Sequence, residues 1–384
     1  MLVAIPKEIM PNEARVSVTP GTVKDLIKAG LTVQVEAGAG SGSFFSDKEY
    51  EEAGATIVPD TKQLWSNADI ILKVNHPVKN EQLGVDEVDL MKEGAVFVSF
   101  FQTTKELETV KKLAANKITG FSMHLIPRTT LAQKMDALSS QSNIAGYKSV
   151  LMGAVHLAKF MPLLMTAAGT IPPAKVLILG AGVAGLQAIA TAKRLGAQVE
   201  AFDVRPVVKE QVESLGAKFV TVQTESEEGV GEGGYAKETS EEYKQKQQAL
   251  IKEHIAKSDM VITTALIPGK PAPILIPDDV VEVMHAGSVV MDLAAENGGN
   301  CSLTKPGEVV SSPHGVVIDG TLNIPGSMPI HASQLYSKNI TSFLTYMVKE
   351  GTVNLDMEDV IISGAMFTHG GNITNEMTKQ AIQS

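Results

Sequence analysis

The sequence predicts an α/β protein with two mainly parallel sheets covered by helices. Three observations support this fold class. Short apolar runs alternate with amphipathic stretches almost from the first residue, one long apolar helix divides these alternations into two series, and a glycine-rich turn joins a strand to a helix in the second series. The 384 residues are 44% hydrophobic and 20% charged, as expected for a folded protein with more than one domain.

The first series predicts a parallel sheet near the N-terminus. Its helices include one that Thr19 caps, with Pro20 at the first position and Gly30 after its last turn, and one at Lys105–Ala115. The strands predicted for this sheet are Leu2–Ile5, Leu31–Val35, Ile70–Val74, Ala95–Phe101 and Ile118–Met123.

A helix from Ser142 to about Phe160 leads into the second series, and another at Ala332–Val348 follows it and is expected to pack back on the first domain. We therefore predict a discontinuous N-terminal domain of residues 1–138 plus 329–384, with a second domain of residues 139–328 inserted into it. The strands predicted for the second domain are Lys175–Leu179, Val199–Phe202, Lys218–Val222, Met260–Thr264 and Ser288–Leu293.

Composition and charge exclude several classes of protein. With 33 Lys and Arg against 43 Asp and Glu, the net charge of −10 argues against a nucleic-acid partner. The single cysteine, Cys301, rules out an internal disulfide. The most apolar window, 147–169, carries Lys148, His156 and Lys159, so no membrane span is predicted. The N-terminus lacks the layout of a signal peptide, and we expect a cytoplasmic protein.

The glycine-rich turn carries the strongest functional signal. The predicted strand Lys175–Leu179 runs directly into a GxGxxG sequence, which a helical stretch follows. In such a turn Gly180 permits the tight bend, Gly182 lets the backbone approach a pyrophosphate, and Gly185 lets the helix pack closely on the strand. Helix N–H groups then face the phosphates, so the second domain is predicted to be a Rossmann-like dinucleotide-binding domain.

Asp203 follows the next strand at the interval expected for a carboxylate that accepts the ribose hydroxyls, which favours NAD over NADP. Arg205 is a complication, since a nearby arginine can accommodate a 2′-phosphate. Two further loops, Thr264–Gly269 and Ala294–Asn300, follow strands and fit cofactor walls. The acidic stretch Gln223–Glu242 is either a lid or a plain solvated loop, and both interpretations remain open here.

Several long motifs resemble the soluble NAD(H)-binding component of the proton-translocating NAD(P) transhydrogenase family. The resemblance covers essentially the whole chain and extends in fold to alanine dehydrogenase. It implies two Rossmann-like domains joined by long helices, with the nucleotide cleft between them. The matching motifs are RTTLAQKMDALSSQSNIAGY from Arg128, MTAAGTIPPAK from Met165, AFDVR from Ala201, GYAK from Gly234, TTALIPGKPAP from Thr263 and NGGN from Asn297.

The resemblance also implies site residues. Those that hold the nicotinamide and its ribose, and are counted as catalytic, are Arg128, Gln133, Asp136 and Ser139. Those implied elsewhere in the cofactor site are Thr129, Thr130, Gly180, Gly182, Val183, Ala184, Gly185, Asp203, Val204, Arg205, Gln247, Thr264, Ala265 and Leu266. Gly234 and Tyr235 would belong to a mobile loop that closes over the nucleotide, which favours the lid interpretation.

The partners and location are implied in the same way. NAD(H) would be the cofactor of this chain, and NADP(H) would be bound by a partner subunit. A separate membrane-embedded subunit would carry the proton channel, which places this chain at the inner face of the cytoplasmic membrane through its partners. A homodimer is also implied, and the apolar turn Met165–Pro173 is our candidate for its exchanged hairpin.

The chemistry agrees with these roles. Direct hydride transfer between two nicotinamides needs positioning and exclusion of water more than an acid–base pair. Arg128 offers a rigid fork of donors, and Gln133 can both donate to and accept from a carboxamide. Gln133 and Asp136 would share a face if their stretch is helical.

An alanine dehydrogenase-like enzyme is the main alternative. Arg15 and Lys73 match the carboxylate-binding arginine and catalytic lysine of that family, but the stretch Val96–Gln102 has Phe100 and Phe101 where its catalytic histidine is expected. We therefore assign no catalytic role to Arg15 or Lys73. A non-catalytic NAD(H)-binding regulator is the third hypothesis. His76 and His124 could stand in for that catalytic histidine, but a lone histidine is more often a packing or surface group. Trp65 and Cys301 are interpreted as packing residues, and no metal site is predicted.

Overall fold

A computed structural model describes residues 1–222, 241–267 and 270–383 of the chain. The chain divides into two compact units. Residues 1–141 and 325–384 form unit 1, and residues 142–324 form unit 2. Within the described ranges, no helix is long and apolar enough to cross a membrane.

The described strands are β1 (Leu2–Ile5), β2 (Thr32–Glu36), β3 (Thr56–Val58), β4 (Ile70–Leu72), β5 (Lys79–Asn80), β6 (Val85–Asp86), β7 (Val96–Ser99), β8 (Thr119–Ser122), β9 (Leu164–Thr166), β10 (Gly169–Ile171), β11 (Lys175–Leu179), β12 (Gln198–Phe202), β13 (Lys218–Val220), β14 (Met260–Thr263), β15 (Val289–Asp292), β16 (Val309–Ser311), β17 (Val317–Asp319), β18 (Val348–Lys349), β19 (Thr352–Val353), β20 (Met366–His369) and β21 (Asn372–Ile373). The described α-helices are α1 (Pro20–Lys28), α2 (Asp47–Glu52), α3 (Thr61–Asn67), α4 (Leu107–Ala115), α5 (Ala137–His156), α6 (Val183–Arg194), α7 (Lys209–Ser214), α8 (Glu241–Ala256), α9 (Asp278–Val281), α10 (Pro329–Met347), α11 (Val360–Ala365) and α12 (Glu376–Gln383).

Unit 1 contains an eight-stranded sheet in the order β21-β20-β8-β7-β4-β1-β2-β3. The pairs from β8 through β3 are parallel, and β20 and β21 add an antiparallel edge. The strand order reverses between β1 and β4, which makes this pair the topological switch point of a doubly wound sheet. Helix α10 packs on unit 1, where Tyr336, Ile340 and Phe343 are fully buried in the same core cluster as Val3 and Ile5.

Unit 2 contains a seven-stranded sheet in the order β13-β12-β11-β14-β15-β17-β16, parallel except for β16. The order reverses between β11 and β14, so unit 2 has its own switch point there. The two strands run in register, with Leu179 opposite Thr263. The loops that leave these two strands therefore begin side by side. The predicted mixed α/β fold with large, mainly parallel sheets is confirmed.

Some predicted boundaries are wrong. Helix α5 begins at Ala137 rather than Ser142, because Asp136 caps its first turn, and it ends at His156 rather than near Phe160. The antiparallel strands β16, β20 and β21 carry no prediction, since they are short and stand at sheet edges. The apolar stretch after α5 contains the hairpin β9–β10, which is largely exposed.

Candidate functional site

The turn after β11 contains three glycines, and the surroundings of each one differ. Gly180 has a φ of +102°, and a Cβ built on it would lie 2.4 Å from Thr264 Oγ1. A Cβ on Gly185 would lie 1.8 Å from the carbonyl oxygen of Gly180, which no real structure tolerates. A Cβ on Gly182 would meet no atom of the described residues within 4 Å. The fold itself therefore requires Gly180 and Gly185, whereas Gly182 faces open space.

That open space lies at the start of α6. Gly182 is the N-cap of the helix, no side chain of the described residues caps the first turn, and the first turn contains no acidic residue. The N–H groups of the first turn and the positive end of the helix dipole therefore face the space beside Gly182 and favour an anion there. Val183, at the first helical position, is 37% exposed beside this space. The structure thus brings together the predicted pyrophosphate residues Gly180, Gly182, Val183, Ala184 and Gly185 at one helix terminus.

Within unit 2, α5 supports this turn from behind. A Cβ on Gly146 of α5 would lie only 2.1 Å from the carbonyl oxygen of Ala184, so the helix backbone packs directly on the first turn of α6. This contact is not among the predictions from the sequence. The signal that could have found it is a glycine in the middle of an otherwise apolar helix, where glycine is disfavoured unless another backbone comes close.

Asp203 lies immediately after β12 and binds its neighbours tightly. Its side chain is 5% exposed, and its carboxylate accepts the N–H of Ala181 at 2.8 Å and the N–H of Arg205 at 2.8 Å. The guanidinium of Arg205 donates from Nε and Nη2 to the two carboxylate oxygens, each at 2.9 Å. Asp203 therefore ties the end of β12 to the glycine turn, and the predicted complication, Arg205, is its bidentate partner.

The loop after β14 forms the next side of the turn. The hydroxyl of Thr264 donates to the carbonyl oxygen of Gly180 at 3.0 Å. Ala265 N donates to Asn300 Oδ1 at 3.0 Å, and Asn300 Nδ2 donates back to the carbonyl oxygen of Ala265 at 2.9 Å. Leu266, one residue further, is 53% exposed. A single buried amide therefore holds the backbone of this loop while Leu266 stays open to a ligand.

Asp292, at the end of β15, organises the loop that carries Asn300. Its carboxylate is 1% exposed and accepts hydrogen bonds from the hydroxyls of Thr263 and Thr304 at 3.0 and 2.6 Å. The backbone N–H groups of Ala294, Asn300 and Cys301 also donate to it. This set of donors compensates the buried charge. The sequence analysis identifies this loop but gives no role to Asp292. An acidic residue at the end of an apolar strand could have indicated a buried carboxylate that holds the next loop.

The residues assigned to the nicotinamide lie on unit 1. Arg128, Thr129, Thr130 and Gln133 are exposed. The stretch forms a 3-10 turn at Gln133–Met135, after which the backbone of Asp136 leaves helical geometry, so the condition for Gln133 and Asp136 to share a helix face is not met.

Asp136 and Ser139 have a structural role at the start of α5. Asp136 Oδ1 accepts the N–H of Ser139 at 2.9 Å, and Ser139 Oγ donates to Asp136 Oδ2 at 2.6 Å. Asp136 is thereby the cap of α5. Both side chains are half-buried, so each also presents surface to a ligand.

At the switch point of unit 1 the corresponding space is filled by the chain's own charges. Lys73 is fully buried, and its Nζ lies 2.6 Å from Glu87 Oε2 and 3.7 Å from Glu8 Oε2. Burial acts to lower the pKa of Lys73, but the two carboxylates outweigh it and raise that pKa above its usual value. Burial raises the pKa of Glu8 to about 7. Lys73 is thus committed to internal ion pairs.

Arg15 is committed in the same way. It donates to both carboxylate oxygens of Glu13, at 2.8 and 2.6 Å, and to Gln141 Oε1 at 2.9 Å. His124 accepts the N–H of Phe101 at 3.0 Å, and burial lowers its pKa to about 4, so it is a neutral packing group. Phe100 packs against the His124 ring, with centroids 4.9 Å apart.

Gly234 and Tyr235 lie outside the described residues. Gln247 is half-buried on α8. Among the residues that the structure describes, no group of three or more His, Cys, Asp or Glu side chains is arranged to hold a metal ion.

Comparisons with known proteins identify the family. Residues 4–145 match the family model "Alanine dehydrogenase/PNT, N-terminal domain", and residues 149–376 match "Alanine dehydrogenase/PNT, C-terminal domain". The chain is 50% identical over 378 residues to the first part of NAD(P) transhydrogenase subunit alpha of Rhodospirillum rubrum, covering 98% of each chain. It is 30% identical over 391 residues to alanine dehydrogenase 2 of Staphylococcus aureus, covering 100% of this chain and 97% of the relative.

Among solved structures, the transhydrogenase from Sinorhizobium meliloti superposes with a TM-score of 0.86 at 46% identity, covering 97% of this chain and 100% of that one. Both halves of the sequence and the fold therefore lead to one assignment. The chain belongs to the alanine dehydrogenase/PNT family.

Proposed function

We propose that this chain is the NAD(H)-binding component of a proton-translocating NAD(P) transhydrogenase. In this proposal, bound NADH supplies a hydride from C4 of its nicotinamide directly to the nicotinamide of NADP⁺ on a partner subunit, giving NAD⁺ and NADPH. A separate membrane subunit couples the transfer to proton movement, and this chain is attached to the cytoplasmic membrane through those partners. The proposed NAD(H)-binding domain spans residues 139–328.

The single observation that carries the proposal is the glycine turn at the switch point of unit 2. Gly182 opens onto free space at the uncapped N-terminus of α6, while Gly180 and Gly185 are fixed by contacts with their own backbone and with Thr264. This combination fits a pyrophosphate, because N–H donors are aimed at the space and no described side chain competes for them. The relatives named NAD(P) transhydrogenase subunit alpha support the same function.

The chain's own residues have distinct tasks in this proposal. In unit 2, the first turn of α6 binds the pyrophosphate, Asp203 and Arg205 bind the adenosine ribose, and Leu266 contacts the nucleotide through its exposed side chain. In unit 1, the 128–139 segment orients the nicotinamide. These residues position the reacting ring and exclude water, and none of them needs to carry a proton.

The Asp203–Arg205 pair supports a preference for NAD(H). The guanidinium is held by the carboxylate in two parallel hydrogen bonds, so its charge is largely compensated before any ligand arrives. A 2′-phosphate on the nucleotide would place a second anion beside Asp203, which is unfavourable in a side chain that is only 5% exposed. We therefore expect NADPH to bind this chain much more weakly than NADH.

Two observations weigh against an alanine dehydrogenase-like activity. Lys73 and Arg15 are both saturated by internal carboxylate partners, which leaves no ready cation for a substrate carboxylate at that place among the described residues. Phe100 occupies the place expected for a histidine, and the nearby His124 is held neutral by burial. Amino-acid oxidation needs a proton acceptor; Phe100 has none, and His124 is a weak base with a pKa of about 4 whose Nδ1 already accepts the N–H of Phe101.

The test mixes the purified chain with an NADP(H)-binding partner subunit and follows reduction of an NADP⁺ analogue by NADH. We expect rapid reduction only when both proteins are present. Oxidation of NADH by pyruvate and ammonia with this chain alone would instead establish the amino-acid dehydrogenase. Tight NADH binding without transfer in either assay would establish the non-catalytic regulator.

We also propose that the chain is a homodimer joined through the hairpin β9–β10. An isolated two-stranded hairpin is marginally stable in water, and this one exposes Met165 at 72% and Ile171 at 43%. A second copy of the chain is the occupant that this apolar hairpin fits. Light scattering should give the mass of two chains at micromolar concentration, and Met165→Asp should shift the mass toward one chain. A monomeric wild type would contradict the proposal.

A further inference from the structure

The 128–139 segment is supported by a helix far away in the sequence. Nδ2 of Asn339, on α10, donates to the carbonyl oxygen of Lys134 at 2.9 Å, within the 3-10 turn Gln133–Met135. Asn339 is 7% exposed on a helix whose neighbouring residues Tyr336 and Ile340 are fully buried. The amide thus reaches the turn from inside the core of unit 1.

Asn339 is an unfavourable choice for packing alone. Its Oδ1 is buried and has no hydrogen-bond partner among the described residues. An unpaired buried amide oxygen costs folding free energy, and an apolar side chain of similar size would avoid that cost. The bond to Lys134 is therefore the contact that accounts for an asparagine at this position.

A second tether lies two turns earlier on the same helix. Gln141 Nε2 donates to the carbonyl oxygen of Ala332 at 3.0 Å, while Gln141 Oε1 accepts from Arg15 at 2.9 Å. Ala332 and Asn339 are seven residues apart and so lie on one face of α10. One rigid helix face therefore holds the chain at both Lys134 and Gln141.

The segment between the two tethers contains Asp136 and Ser139, and Gln133 directly precedes it. These side chains belong to the group proposed above to orient the nicotinamide. Asp136 is itself fixed through its cap contacts with Ser139, so a shift of the Lys134 carbonyl would move the cap and Gln133 together. A misplacement of about 1 Å at a reacting centre can lower a transfer rate about a hundredfold.

We propose that Asn339 is a positioning residue for hydride transfer, which acts by holding the carbonyl of Lys134 and thereby setting the orientation of Gln133 and Asp136. This inference rests on the proposed function. It also gives Arg15 a role as part of the second tether, through Gln141, rather than as a ligand of substrate.

The test uses Asn339→Leu in the full chain. The variant keeps the number and branching of the side-chain heavy atoms, removes the donor and removes the unpaired oxygen, so its melting temperature should stay close to that of the wild type. Thr341→Val is the matched control, because Thr341 is a buried polar residue of the same helix whose hydroxyl also has no described partner. If Asn339→Leu does not fold, Asn339→Ala takes its place.

Two measurements distinguish a role of Asn339 in positioning the nicotinamide residues from a role in the stability of the fold. ADP-ribose, which lacks the nicotinamide ring, should bind the Asn339 variant within about twofold of the wild-type affinity, whereas NADH should lose about threefold or more. Single-turnover hydride transfer to the partner subunit should be at least about tenfold slower than in Thr341→Val. Equal transfer rates and an equal ratio of the two affinities would overturn the proposal.

The experiment distinguishes failure of the transhydrogenase proposal from failure of the Asn339 proposal. If the wild type transfers no hydride in the presence of its partner, the transhydrogenase proposal is rejected on that result alone. The ratio of NADH to ADP-ribose affinity then decides the role of Asn339, since it requires no turnover. An unchanged ratio rejects the positioning role, and a lowered one supports it.

Discussion

The parallel strands of the two sheets follow the same order, but the residues at the two switch points differ in kind. In unit 2, the crevice between β11 and β14 is bordered by backbone N–H groups and a glycine that faces open space. In unit 1, the crevice between β1 and β4 is filled by Lys73, Glu8 and Glu87. The same topology therefore leaves an open helix terminus, our proposed ligand site, in one unit and a buried ion cluster in the other.

The difference follows from which residues come after the strands. Glycines after β11 leave the helix terminus open, so the dipole and free N–H groups remain available to a ligand. After β4, Lys73 folds back and pairs with Glu87 at 2.6 Å, while Glu8, which follows β1, lies 3.7 Å from Lys73 and accepts the N–H of Val74. The topology of a doubly wound sheet indicates where a ligand can bind, and the side chains at that place decide whether one does.

The largest expected effect comes from breaking the ion cluster of unit 1. Lys73→Met should lower the free energy of unfolding by about 3–5 kcal/mol, because it leaves two buried carboxylates without their cation. Urea denaturation at pH 7 measures this loss. NADH affinity of the folded protein should remain within about twofold of wild type, since the cluster is not part of the nucleotide site.

A double variant sharpens that result. Adding Glu87→Leu to Lys73→Met removes one of the abandoned carboxylates and should recover part of the lost stability. No recovery would show that the loss comes from packing of the lysine stem rather than from unpaired charge. A tenfold loss of NADH affinity in Lys73→Met would contradict the functional separation of the two switch points.

The next effect tests the open crevice. Gly182→Ala should weaken NADH binding by about 10- to 100-fold, which corresponds to about 1.4–2.8 kcal/mol. The added methyl projects into the space assigned to the pyrophosphate, yet it meets no atom of the described residues and needs no positive φ. The melting temperature should therefore stay close to that of the wild type. Isothermal titration and a thermal scan measure the two quantities.

Gly185→Ala is the matched comparison. Its Cβ would overlap the carbonyl oxygen of Gly180, so this variant should lose stability and NADH binding together. If Gly182→Ala binds NADH as well as the wild type, the pyrophosphate does not lie beside Gly182, and the proposed site is wrong.

The stability of unit 1 should also depend on pH. Burial raises the pKa of Glu8 from 4.5 to about 7, so the folded state holds more protons than the unfolded state between these pH values. Its contribution therefore makes the free energy of unfolding fall as pH rises from about 4.5 to 7. Glu8→Gln cannot titrate and should reduce that fall by about 2–3 kcal/mol between pH 5 and pH 8.

Denaturation with urea at pH 5 and pH 8 measures the effect. Glu108→Gln provides the control, because the side chain of Glu108 is 87% exposed and its removal should leave the pH dependence as in the wild type. An identical pH dependence in Glu8→Gln would mean that Glu8 is ionised in the folded state across this range.

Much of the fold follows from local patterns in the sequence. The bounds of β1 and β11 are predicted to the residue, because each is a short apolar run with a clear stop. The glycine turn is predictable for the same reason, as three glycines at fixed spacing follow a strand. The predicted start of α5 is wrong, because the motif that implies ligand roles for Asp136 and Ser139 does not reveal that they also cap the helix.

Long-range polar contacts lie beyond what the sequence can reveal. Asn339 meets Lys134 at a separation of 205 positions, and Asn300 meets Ala265 at a separation of 35. No spacing rule connects such pairs, because their proximity results from the assembled sheet and helices. A polar residue at an apolar position of a helix, such as Asn339, indicates only that some partner must exist.

The central claim is that hydride passes directly from NADH on this chain to NADP⁺ on a partner. The most direct measurement mixes the chain and its NADP(H)-binding partner with NADP⁺ and NADH that carries two deuterium atoms at C4, in ordinary water. We expect NADPH with one deuterium at C4, and transfer about 10- to 100-fold slower in Gly182→Ala at limiting NADH. NADPH with hydrogen from the solvent, or none formed with both proteins present, would contradict direct transfer.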